Sequence, residues 1–153
     1  MRTLVASSLI ILIAVSAGGA GGEKKGKDKG ADGTWIVVGM VQNGMKASAE
    51  DLDKLKMTLT VKGSNYTVSM AGMAIDKGTS KADETKKPIT LDIKSEEGPN
   101  KGKTILAIVE IDGDSMKTCY DLEGKNRPKE FSAKEGSGHV LILYKRETKK
   151  KDE

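Results

Sequence analysis

Very few side chains in this sequence could do chemistry, and their spacing argues against most of it. His139 is the sole histidine and Cys119 the sole cysteine. Zinc sites take three or four such ligands, so a His/Cys site within one chain is not expected. His139 follows Gly136-Ser137-Gly138 and opens an apolar run, the position of a strand-end histidine. Serine, histidine and aspartate are all present, yet no nucleophile elbow surrounds any serine. Asp112-Gly113-Asp114 resembles the start of a calcium loop, with Glu123 at its twelfth position. Such a loop needs glycine at the sixth position and oxygen ligands before it. Here Lys117 is sixth and Met116 fifth, so the stretch reads as a tight turn. Asp51 and Asp53 sit near a predicted helix start, where they complement the helix dipole. Spacing alone does not locate a carboxylate pair for glycoside chemistry. Gly102-Lys103-Thr104 lacks the first glycine of a phosphate loop and precedes a strand, and Gly136-Ser137-Gly138 lacks the Lys-Ser/Thr pair and helix. No catalytic residue, metal site or cofactor is assigned, and enzyme activity is not expected.

Composition narrows the classes further. Hydrophobic residues are 37% and charged residues 31% of 153, which suits one small domain with short extensions. The aromatics are only Trp35, Phe131, Tyr66, Tyr120 and Tyr144. The core must therefore rest on Val, Ile, Leu and seven methionines, which fill irregular gaps. The net charge of +4 is concentrated in Lys24, Lys25, Lys27 and Lys29 and in Lys149-Lys150-Lys151. Runs of this kind read as solvated ends. A single-strand nucleic-acid site joins basic residues with aromatics on one face, so no nucleic-acid partner is expected. Cys119 cannot make an intramolecular disulfide and reads as a buried small hydrophobe on a strand.

The N-terminus carries an export pattern. Met1-Arg2-Thr3 is a short positive region, residues 4–15 are apolar apart from Ser7 and Ser8, and small residues follow. Residues 1–20 are expected to be a signal peptide cleaved after Ala17 or Ala20. That places the protein outside the cytoplasm, secreted or in the periplasm or cell envelope. Membrane contact is expected only if the segment stays uncleaved. Residues 21–32 read as a flexible charged Gly/Lys linker and 148–153 as a charged tail.

The elements that must position any site lie between. Apolar residues alternate over 33–42, 57–62, 66–71, 73–81, 88–94, 103–111, 115–122 and 139–146, the period of strands. Gly39 marks a bulge in the first strand. In the fourth, Met73, Ile75 and Lys77 are expected on one side. Gly63-Ser64-Asn65 is a three-residue turn, residues 95–102 a loop, and residues 123–138 a long irregular segment that Phe131 pins. A short helix is expected over 47–56, capped by Ser48. These signals predict an all-β fold: a roughly eight-stranded antiparallel barrel with one short helix after the first strand.

A resemblance agrees with this pattern. Gly33-Thr34-Trp35 is similar to the G-x-W that opens the first strand of lipocalin-type barrels. In those barrels a basic residue near the end of the last strand packs over the tryptophan. Tyr144-Lys145-Arg146-Glu147 makes Arg146 the candidate, through cation–π stacking. Trp35 and Arg146 are thus expected as a structural latch, not a ligand site. Over residues 33–147 the chain resembles a planctomycete family of small lipocalin-like domains with no assigned function. The match rests on Gly33-Thr34-Trp35, Leu52-Asp53-Lys54-Leu55-Lys56, Asn65-Tyr66-Thr67-Val68, Lys87-Pro88, Gly102-Lys103-Thr104-Ile105-Leu106-Ala107-Ile108, Asp112-Gly113-Asp114, Cys119-Tyr120, Arg127-Pro128-Lys129-Glu130-Phe131 and Gly136-Ser137-Gly138. It implies an extracytoplasmic barrel and supplies no catalytic residues. Two readings stay open. One is a module that binds a small apolar or amphipathic ligand inside the barrel. The other is a packed-core envelope module that contacts proteins and holds no small molecule. No ligand-binding residue or protein partner is assigned, and the interior volume of the barrel decides between them.

Overall fold

Apolar and polar side chains that alternate at period two commit a segment to a strand with one buried face. The computed structural model describes residues 30–148. The expected signal at 1–20, residues 21–29 of the expected linker and 149–153 of the expected tail lie outside the described residues. The elements run β1 (Gly33–Gln42), β2 (Met45–Lys46), α1 (Ala49–Leu55), β3 (Met57–Lys62), β4 (Asn65–Met70), β5 (Met73–Asp83), β6 (Ile89–Glu97), β7 (Thr104–Asp112), β8 (Ser115–Asp121) and β9 (His139–Arg146).

From β3 onward each strand pairs antiparallel with the next, and β1 pairs with both β3 and β9. The result is a closed eight-stranded barrel, with β2 as a two-residue addition to the end of β1. The expected all-β barrel is what forms, and closure leaves none of its eight strands as a free edge. β1 serves two neighbours in sequence: Gly33–Ile36 pair with β3, and Trp35–Gln42 with β9. Its register shifts between Val37 and Gly39, where the bulge was expected.

The barrel has two distinct ends. At the entry end, Gly30–Asp32 lead into β1, and the β3–β4, β5–β6 and β7–β8 connections lie beside them. At the far end lie β2, α1 and the β4–β5, β6–β7 and β8–β9 connections. Ser48 caps α1, accepting from the Asp51 amide at 3.1 Å and donating to Asp51 Oδ2 at 2.6 Å. Inside, Trp35, Val37, Val109, Met116 and Tyr144 form one cluster, and Tyr66, Ile93, Ile105 and Ala107 a second. Each large apolar side chain so buried contributes about 1.5–3 kcal/mol.

Some local expectations are corrected. Lys62 pairs with Asn65, so the β3–β4 turn has two residues, not three. Strand β6 runs on to Glu97, which takes Ser95 out of the expected loop and buries it. A bulge at Ile75, opposite the Val68–Ser69 step of β4, takes Lys77 off the face it was expected to share with Ile75, and it pairs with Glu97 instead. The long β8–β9 segment is pinned mainly by Arg127, which donates to the carbonyls of Leu91 (2.7 Å) and Ala107 (2.9 Å) and pairs with Asp92. Phe131 makes a lesser contact, half-buried with Lys117 Nζ 4.6 Å from its ring centroid.

Candidate functional site

The entry end is closed by side chains from both termini of the barrel. Trp35 is fully buried, and its Nε1 donates to the Ala31 carbonyl at 2.8 Å. The Arg146 guanidinium carbon stands 4.1 Å from the centroid of the Trp35 ring. Arg146 Nε donates to Asp114 Oδ1 at 3.1 Å, Nη2 to the Gly30 carbonyl at 2.9 Å, and Nη1 to the Asp32 carbonyl. Asp32 Oδ1 accepts from the Gly63 amide at 3.0 Å. Gly30, Ala31 and Asp32 are therefore bonded to the barrel, and Asp114 is engaged as an ion-pair partner.

Behind this closure the barrel is not filled. Its inward faces enclose a cavity of about 1050 Å³. Aliphatic side chains form most of the wall: Met57, Leu59 and Val61 from β3, Val68 from β4, Leu91 and Ile93 from β6, Ile105 and Val109 from β7. Protein interiors pack as densely as organic crystals, with few voids larger than a water. A space of this size, with a few polar groups set in it, has the form of a small-molecule pocket.

Two polar nodes interrupt the apolar wall. Asp76 on β5 accepts from the Tyr66 hydroxyl at 3.1 Å and from Ser95 Oγ at 2.8 Å, both on Oδ1. Asn100, in the β6–β7 connection, reaches Oδ2 at 3.5 Å. Burial, with the nearby Asp76 carboxylate adding to it, pushes the Tyr66 phenol up to about 12. The second node is a hydroxyl pair, Tyr120 and Tyr144, 2.8 Å apart. Burial raises both phenols, Tyr144 well above the ordinary tyrosine range. All three tyrosines of the chain thus face the cavity in their neutral form.

The fold is lipocalin-like. A closed antiparallel barrel, a G-x-W at the start of its first strand and an arginine from the last strand over that tryptophan together make the likeness. No protein-family model matches the sequence, and no curated protein aligns with it significantly.

The Asp76 node was not legible in the sequence of this lipocalin-like barrel, because two local devices build it. A bulge at Ile75, the extra residue between Ala74 and Asp76 opposite β4, brings Asp76 to the wall. Gly78 then allows close approach: a Cβ there would lie 2.0 Å from the Lys94 carbonyl oxygen and 3.0 Å from Tyr66 Cε1. Gly98, at φ 99°, does the same for the β6–β7 connection, where a Cβ would lie 2.3 Å from the Ile75 carbonyl oxygen. That approach brings Asn100 to Asp76. An aspartate two residues before a strand glycine was the available signal, since an isolated strand glycine marks close backbone approach or a nearby bulge.

The remaining residues of chemical interest stand apart. His139 Nε2 lies 3.2 Å from the Asn126 carbonyl oxygen, beside a smaller cleft of about 570 Å³ near the β1–β2 turn. Cys119 lies on β8, fully buried, with its thiol 3.3 Å from the Ser132 carbonyl oxygen. Burial pushes that thiol up, away from the reactive thiolate. Burial also pushes Asp121 up, but backbone amides of Asn126, Glu123 and Lys125 hold it below the usual carboxylate value. Among the described residues, no three His, Cys, Asp or Glu side chains gather to hold a metal ion.

Proposed function

We propose that this chain is a binding module that holds a small apolar or amphipathic molecule in the cavity of its lipocalin-like barrel. The observation that carries this reading is the unfilled interior of about 1050 Å³ with two polar nodes in an aliphatic wall. A packed-core module has its interior filled by its own side chains, so the cavity favours the first of the two readings. Native mass spectrometry of protein purified from its source tests it. The expected result is a small molecule that co-purifies, with dye uptake into the emptied barrel. Absence of both overturns it.

Two finer proposals accompany it. The first is that the domain works outside the cytoplasm after cleavage behind Ala17 or Ala20, supported by the apolar run at 4–15 and the small residues after it. N-terminal sequencing of the mature protein checks it. The second is that it belongs with the planctomycete lipocalin-like domains it resembles, supported by the ordered set of motifs over 33–147. A profile built from those domains alone should align this chain from Gly33 to Glu147 without a break in any barrel strand.

One observation favours protein contact as well. Ile36, Val38 and Leu143 are exposed on the outer face of β1 and β9. Cross-linking in extracts should then trap a partner through this strip, and its loss in a Val38→Lys variant would localise the contact.

A further inference from the structure

A carboxylate set into an apolar wall is costly unless a partner compensates it. Asp76 lines the cavity and is 9% exposed. Its Oδ1 already accepts two bonds, from Tyr66 and Ser95. Its Oδ2 has only the Asn100 amide, at the 3.5 Å limit of a hydrogen bond. A carboxylate offers about four acceptor positions, so Oδ2 keeps capacity on a residue of the cavity wall. All three donors are neutral groups. Among the described residues no Lys, Arg or His forms an ion pair with Asp76. Its neighbour Lys77 is committed elsewhere, to Glu97 at 3.5 Å.

The other charges along the wall sharpen the asymmetry. Among the described residues that line the cavity Arg146 is the one cation, and it is already stacked on Trp35 and bonded to Asp114, Asp32 and Gly30. Of the lining carboxylates, Asp114 is paired with Arg146 and Glu84 is exposed to solvent. Among the described residues an anionic ligand finds no uncommitted cation in this wall, whereas a cationic ligand finds an uncommitted carboxylate oxygen.

We propose that the cavity selects amphipathic amines: a protonated amine head donates to Asp76 Oδ2, and an apolar body lies along Leu59, Val68, Leu91 and Ile93. This rests on the ligand-binding reading of the same cavity and adds its chemical class. Tyr66, Ser95 and Asn100 hold the carboxylate in place for the head group. A fatty acid would set two like charges together in a low-dielectric site and is disfavoured. A neutral alcohol also donates one hydrogen bond to the carboxylate but brings no opposite charge, so it lacks the Coulomb attraction that an ammonium adds in this low-dielectric site.

The test is displacement of Nile red by octylamine, octanoate and octanol at neutral pH. Octylamine is expected to act at an about tenfold lower concentration than octanol, with octanoate weakest. In Asp76→Asn the gap between amine and alcohol should close, with octylamine losing far more affinity than octanol. Equal displacement by all three, or an amine preference that survives Asp76→Asn, overturns the amine selectivity and leaves the cavity reading standing. Failure of Nile red and all three probes to bind overturns both. Circular dichroism checks that the variant folds. If it does not fold, the wild-type ranking decides: amine first supports the proposal, and octanol or octanoate first overturns it.

Discussion

The two ends of the barrel bury polar groups in opposite ways. At the entry end, Trp35 Nε1 and the Arg146 guanidinium find acceptors within the protein, in Ala31, Asp32, Gly30 and Asp114. Toward the far end, Asp76 is held by three neutral donors and one of its oxygens stays under-used. An end saturated from within serves closure. An end with spare hydrogen-bonding capacity facing a cavity suits the proposed recognition, at some cost to stability. Substitutions at the entry end should therefore lower stability and spare selectivity, and substitutions at Asp76 should do the reverse.

The strongest way to break this contrast is Trp35→Ala. It removes a fully buried indole and should cost about 3–5 kcal/mol, read from denaturant unfolding. A midpoint like that of wild type would show that stability does not reside at the entry end. Next is Arg146→Met, which keeps the apolar stem and loses the stack and the hydrogen bonds. About 2 kcal/mol is expected. A double-mutant cycle with Trp35→Phe isolates the stack, with a coupling of about 1 kcal/mol. Zero coupling would mean that Arg146 acts only through Asp114 and the carbonyls.

The tyrosines between the two ends give a pH test. Burial raises all three phenols above their ordinary value. The unfolded chain releases these protons near pH 10, while the folded chain keeps them. Their contribution to stability is thus fully present below about pH 10 and is lost as pH rises through the folded values. For Tyr66 that loss centres on about 12. Phenolate absorbance should stay low at the ordinary tyrosine pKa and then rise together with loss of the β-sheet circular dichroism. Phenolate absorbance that develops near the ordinary value in the folded protein would place a tyrosine outside the buried interior. The smallest expected effect is on stability in Asp76→Asn, within about 0.5 kcal/mol of wild type or slightly stabilising, since the amide oxygen still accepts from Tyr66 and Ser95. A loss of about 2 kcal/mol would make the carboxylate a structural group.

Most of the barrel was readable because its strands keep period two: Leu59 and Val61 against Thr58 and Thr60, Met116, Thr118 and Tyr120 against Lys117 and Cys119. The site was not, for a physical reason. A bulge reverses the parity of every residue beyond it, so a pattern read through Ile75 mispredicts Lys77 and hides Asp76. Ser95 was lost to a loop because the charged Glu96 and Glu97 mask the end of β6. Arg127 gave no local signal at all, since its partners Leu91, Asp92 and Ala107 are brought to it only by the barrel.

The β8–β9 segment leaves a chemical mark on the molecule. It lies across the outer face of the barrel, and beneath or within it Ile108, Cys119, Pro128 and Ala133 are buried, with the Ser132 carbonyl closing over the thiol. The sole cysteine is therefore a clock for one event. Iodoacetamide can label Cys119 only when this girdle lifts, so the alkylation rate of the native protein reads out the opening frequency of the β8–β9 segment. Arg127→Ala should speed that clock while leaving the inner wall and its proposed amine preference untouched.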